Sequence, residues 1–88
     1  MPQLTKTQAR QKGIPSKTLQ TILLDKHYFT IRTAKKWLKD HNFVNSYWRA
    51  TATEYRFLQT QDIKGAIYYS KKIDDGLGGQ IILVFQEY

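Results

Sequence analysis

Apolar residues in the stretch Phe29–Phe43, FTIRTAKKWLKDHNF, recur at steps of three and four. Ile31, Ala34, Trp37, Leu38 and His41 fall on one side of a helical projection, and Arg32, Lys35, Lys36 and Lys39 on the other. The spacing predicts one short amphipathic helix that docks on a sheet through the first side and shows its basic side to solvent. Thr30 is the predicted N-cap, because its hydroxyl can accept from the amide of Thr33. Phe29 before it can pack back on the first turn. Asn42 tolerates the left-handed conformation that closes a helix, and Phe43 then turns under the sheet.

Elsewhere the period shortens to two. Leu19–Leu24 is short, apolar and partly β-branched, and Asp25-Lys26-His27 closes it, so it reads as a strand. Ala66–Ile73 and Gln80–Gln86 predict a hairpin around the Gly-rich turn Asp74–Gly79. The second of these strands is apolar on both faces, which predicts an interior place in the sheet. In Tyr47–Gln59, an extended backbone puts Tyr47, Arg49, Thr51, Thr53, Tyr55, Phe57 and Gln59 on one face. Trp48, Ala50, Ala52, Glu54, Arg56 and Leu58 take the other. A strand over Glu54–Gln59 is expected, with Trp48–Thr53 as a twisted lead-in and Thr60–Gly65 as a polar connection. Residues 1–18 are polar and basic, and Gly13 and Pro15 interrupt any long helix. A helical turn over Thr5–Gln11 can form there, but the expectation is a mobile arm carrying Lys6, Arg10, Lys12 and Lys17. The predicted architecture is α+β in two layers. One main helix packs on a mostly antiparallel four-stranded sheet, in the order β-α-β-β-β, and leaves the other sheet face partly open.

Size limits this picture to one domain over residues 19–88, preceded by the arm, with room for a single core in 88 residues. Six Tyr, four Phe and two Trp supply much of the burial. The absence of Cys excludes disulfides, thiolate metal sites and cysteine nucleophiles. No apolar run is long enough to span a membrane, and the first residues lack the apolar centre of a secretory signal. The expected place is therefore the cytosol, the nucleus or a larger particle. Lys and Arg number 14 against seven acids, a net charge of +7, which fits a polyanionic partner.

Three candidate chemistries follow. The basic helix face, Arg32, Lys35, Lys36 and Lys39, can neutralise phosphates, and the arm residues Lys6, Arg10 and Lys12 can join it. On the strands, Arg49, Arg56, Lys71 and Lys72 interleave with Tyr47, Trp48, Tyr55, Phe57, Tyr68 and Tyr69. Aromatic rings on an open sheet face can stack on unpaired bases, although rings at alternating strand positions also build cores. The Gly-rich turn carries two adjacent acids and no P-loop ending, so a plain hairpin turn is the expectation. His27 and His41, near Asp25 and Asp40, lack a nucleophile or a third metal ligand, so no catalysis, metal or cofactor is expected. His41 suits a helix C-terminus. The partner is then nucleic acid, DNA before RNA, or else an acidic protein surface. An edge strand can also pair with a partner or a second copy in a homodimer.

Phe29, Thr30, Ala34, Trp37, Leu38, Lys39, His41 and Phe43, followed by Tyr55, Arg56, Phe57 and Gln59 and then by the terminal strand after Gly79, form a combined pattern. It resembles small uncharacterised accessory domains encoded by bacteriophages and large DNA viruses. The resemblance covers residues 19–86 and departs from the pattern at Leu58, where the family usually has arginine. It implies a viral origin and a compact accessory domain, and it carries no activity.

Overall fold

The computed structural model describes residues 3–74 and 79–88. Along them run α1 (Lys6–Gln11), β1 (Lys17–Asp25), α2 (Ile31–Asp40), β2 (Trp48–Ala50), β3 (Glu54–Leu58), β4 (Ile67–Asp74) and β5 (Gln80–Glu87). The strands form one antiparallel sheet in the order β2-β3-β1-β5-β4. The fold is thus α+β as expected, with two corrections: the sheet has five strands rather than four, and the arm is not an arm.

The extra strand is β2. Ala52 and Thr53 form a tight turn, closed where the Thr51 amide donates to the Glu54 carbonyl at 2.8 Å and the Thr51 hydroxyl accepts from the Glu54 amide at 3.0 Å. A serine- or threonine-type side-chain bond takes the place of the usual Asn-Gly signal. The arm folds because Thr5 and Gln8 cap α1 reciprocally, amide to side chain, at 3.0 and 3.1 Å. Gly13 ends α1 at φ 75°, a conformation that costs glycine little. Leu4 then bridges to Ile63, and Leu4, Ala9 and Ile63 close a small second cluster against Ile14, Ala66 and Tyr88. The expected single core therefore has a satellite, which ties residues 4–14 to the domain.

The helix α2 follows its sequence closely. The Thr30 hydroxyl accepts from the Thr33 amide at 3.2 Å. Asn42 takes φ 61°, and the Phe43 amide donates back to the Leu38 carbonyl at 2.9 Å. Ala34 and Leu38, both fully buried, meet Ile22 and Leu24 of β1, Phe57 of β3 and Ile81 of β5, with Phe29 completing the cluster. Fully burying such side chains is worth roughly 1.5–3 kcal/mol each, and this layer is the main source of stability. The predicted hairpin forms with β5 inside the sheet; of its turn, Asp75–Gly78 lie outside the described residues.

Strand register fixes the second face. Residues alternating with the α2-facing set are, in one row across five strands, Arg49, Arg56, Leu23, Ile82 and Lys72. At one end of this face the 59–66 connection crosses the sheet. Gln86, fully buried, donates to the Gln61 carbonyl at 2.9 Å and accepts from the Ile63 amide at 3.2 Å. α1 docks on that connection, so the N-terminal segment lies on the side of the sheet away from α2.

Candidate nucleic-acid interface

A residue pair that one extended strand would separate is brought together by the β2–β3 turn. Arg49 and Arg56 have opposite parity, and the sequence expectation set them on opposite faces. The turn pairs them directly, Arg49 against Arg56, on the face away from α2. Both are exposed. Among the described residues the one ion pair is Lys36 with Asp40 at 3.1 Å, so none of their carboxylates is in ion-pair contact with either guanidinium. Two like charges directly opposite on adjacent strands repel. An anion placed between them relieves that repulsion, and guanidinium is the side chain best suited to hold phosphate by paired hydrogen bonds.

These arginines line a hollow of about 550 Å³, together with Gln20, Thr21, Leu58 and Asp62, and with Ser46, Tyr47 and Trp48 at the β2 side. The hollow owes its floor to a bulge. The β1–β5 register shifts between Leu19 and Thr21, so Gln20 is the additional residue. Its carbonyl accepts from the Gln59 and Thr60 amides at 2.8 and 3.2 Å, which draws the 59–62 segment across the sheet. Its side chain donates to Asp62 Oδ1 at 2.9 Å and accepts from the Thr21 hydroxyl. Asp62 also accepts from the Tyr68 hydroxyl at 3.1 Å. Partial burial, and after it the Asp62 carboxylate, push the Tyr68 phenol above the ordinary tyrosine value. Asp62, which lines the same hollow as the arginines, is therefore held by two donors. Gln20, Thr21 and Asp62 had no signal in the sequence pattern, because a bulge and a side-chain network define their roles.

Tyr47 is 63% exposed and shares the parity of Arg49, so its ring is the aromatic surface on the hollow's side, whereas Trp48, 43% exposed, turns the other way. Trp48 lies on the α2 side of β2, with its ring 6.1 Å from that of Tyr55 and 6.3 Å from that of Phe57. Phe57 is fully buried, so of the interleaved rings it belongs to the core. Tyr68 and Tyr69 are exposed on opposite faces of β4, Tyr69 stacked on Phe85 at 5.5 Å.

The remaining basic residues divide between the two sides of the sheet. Arg32, Lys35, Lys36 and Lys39 are exposed on α2, on the opposite layer. Lys36 is partly neutralised by Asp40, and the Lys35 ammonium lies 5.4 Å from the Trp48 ring centre. Lys71 faces the α2 side at the far edge, whereas Lys72 ends the arginine row. Lys6, Arg10 and Lys12 are exposed on or beside α1, and Arg10 lies 5.9 Å over the Tyr88 ring. The arm thus joins the strand arginines' side, and the helix face stands alone. Next to the arginine row a more acidic row, Glu54 and Asp25, is paired on β3 and β1. It limits the positive surface to the middle of the sheet.

The histidines take structural places. His41 caps α2, with Nδ1 2.7 Å from the Trp37 carbonyl and its ring stacked on Trp37 at 4.1 Å. His27 precedes α2, about 15 Å of helix rise away. No helix among the described residues is long and apolar enough to cross a membrane. Searches of family models, of curated proteins and of solved structures find nothing that matches this chain.

Proposed function

We propose that this chain is a viral accessory protein that binds nucleic acid without catalysis, and that the open part of the sheet face away from α2 is its principal contact. The observation that carries this reading is the unpaired Arg49–Arg56 couple, set in a hollow beside the exposed Tyr47 ring. A hollow of this size suits a nucleotide or two rather than a duplex groove. Phosphates would lie along Arg49, Arg56 and Lys72, and an unpaired base would stack on Tyr47, a contact worth about 1–3 kcal/mol. The α1 charges extend the track on the same side of the sheet. The helix face contributes by general attraction, which is long-ranged and screened by salt.

The test is fluorescence anisotropy with labelled single-stranded and duplex oligonucleotides over a series of salt concentrations. With about four phosphates neutralised, the logarithm of affinity falls with the logarithm of salt at a slope of roughly −3 for single strands. Single strands bind tighter than duplex of the same length. Absence of binding at low salt would falsify the reading.

A second reading, a protein-interaction module, is favoured by the apolar edge of β4, where Ile67 is 71% exposed and Tyr69 is 43% exposed. Under that reading Ile67→Lys abolishes partner binding and leaves the oligonucleotide affinity untouched.

A further inference from the structure

The two edges of the sheet are guarded differently. β2 is three residues long, and a short edge offers little to an incoming strand. β4 is eight residues long, and every residue but Ile73 is exposed. Its outer side meets no strand among the described residues. Long exposed edges invite pairing, and Lys71 and Lys72 are the kind of residue that blunts it.

We propose that β4 pairs antiparallel with β4 of a second copy, centred on Ser70, to give a continuous ten-stranded sheet. A two-fold axis perpendicular to the sheet makes the strands antiparallel and keeps each face on its own side. Directly opposed residues must then share parity, which restricts the register to centres on a residue. Centring on Lys71 or Lys72 sets two ammonium groups face to face, which is destabilising. Centring on Tyr69 puts Ile67 against Lys71. Centring on Ser70 places Tyr69 against the second copy's Lys71, Tyr68 against its Lys72, and Ile67 against its Ile73. Each lysine then meets an aromatic ring, each isoleucine an isoleucine, and no like charges oppose. The closest like charges, Lys71 of each copy, are diagonal neighbours at about 7–8 Å.

The rings are already in place for this. Tyr69 is stacked on Phe85, and the Tyr68 hydroxyl is bonded to Asp62, so little side-chain freedom is lost on pairing. Lysine over a tyrosine face adds cation–π attraction, in a setting where edge hydrogen bonds also form. The lysines that protect the edge against foreign strands thus become the complement of its own tyrosines. The dimer does not depend on nucleic-acid binding. It sets both arginine hollows on one side of the assembly, at opposite ends of the extended sheet.

Sedimentation equilibrium over a wide concentration range reads the mass, and a cysteine variant reads the register. The wild-type chain sediments at twice its monomer mass. Tyr68→Lys/Tyr69→Lys sets lysine against lysine and lowers the association constant at least tenfold, while circular dichroism stays native. Adding Lys71→Glu/Lys72→Glu to that variant restores opposite charges at the paired positions and recovers the dimer. Ser70→Cys, in a chain with no other Cys, gives a disulfide-linked dimer when oxidised glutathione takes up the two electrons, because these positions face each other across the axis. A monomeric mass throughout overturns the proposal. So does a dimer that Ser70→Cys fails to link while Ile67→Cys links it.

Discussion

The two faces of the sheet are built from alternate residues of the same strands, yet they answer to different demands. Toward α2, Ile22, Leu24, Phe57 and Ile81 are fully buried in one apolar cluster. Away from it, Arg49, Arg56 and Lys72 stand exposed in one row around Leu23 and Ile82. The first face is satisfied within the chain. The second holds two guanidinium groups opposite each other, and among the described residues no carboxylate is in ion-pair contact with either. The difference teaches that residue parity separates the positions that carry stability from those that the proposed binding would use. A substitution on one face should leave the property of the other nearly unchanged.

The largest way to stress that separation is Leu38→Ala. It removes a fully buried side chain where α2 meets the sheet, and it should cost about 2–5 kcal/mol of unfolding free energy in a denaturant titration. Binding per folded molecule should be unchanged. Thr30→Ala takes away the hydroxyl that receives the Thr33 amide and should cost about 1 kcal/mol by the same measurement. On the other face the sign reverses. Arg56→Ala relieves a like-charge pair and should leave stability equal or raise it by up to about 0.5 kcal/mol, a result visible in the same titration. Its affinity for an oligonucleotide should fall nonetheless.

The smallest effect is one of pH. The folded pKa of Tyr68 is raised, first by burial and then by Asp62, so the folded state favours the neutral phenol. That contribution is complete below about pH 10, the ordinary tyrosine value, and is lost as pH climbs through the higher folded value. Tyr68→Phe should lower stability slightly at neutral pH, where the hydroxyl bond to Asp62 is intact, and flatten the alkaline end of the curve, so that the difference from wild type shrinks there.

Local signals were legible and distant ones were not. Thr30, Asn42 and Phe43 act within one helix, so the boundaries of α2 follow from its own residues. The β4–β5 hairpin was legible for the same reason, through its alternation. The β2–β3 turn was not, because Ala52-Thr53 has no glycine, asparagine or proline to mark it; its closing group is the Thr51 hydroxyl. Missing that turn inverted the parity of Arg49 against Arg56 and hid the site. α1 was read as an arm because Leu4 and Ala9 are too few to show a helical period, and their partners Ile63 and Tyr88 lie far along the chain. The bulge at Gln20 left no trace either, since it is a feature of pairing rather than of local preference. The basic helix was the loudest sequence signal because its charges repeat at helical spacing. In three dimensions it is a convex surface on the far layer from the hollow.

The most direct test sets the two basic surfaces against each other by anisotropy with one single-stranded oligonucleotide at low salt. Arg49→Glu/Arg56→Glu reverses two charges in the hollow, and Lys35→Glu/Lys36→Glu/Lys39→Glu reverses three on α2. General electrostatics ranks the triple variant as the weaker binder. The present account predicts the opposite: a loss of about 30-fold or more for the arginine pair, near 2 kcal/mol, and less than about threefold for the lysine triple, with both variants folded. Equal losses, or a larger loss for the lysines, would contradict it.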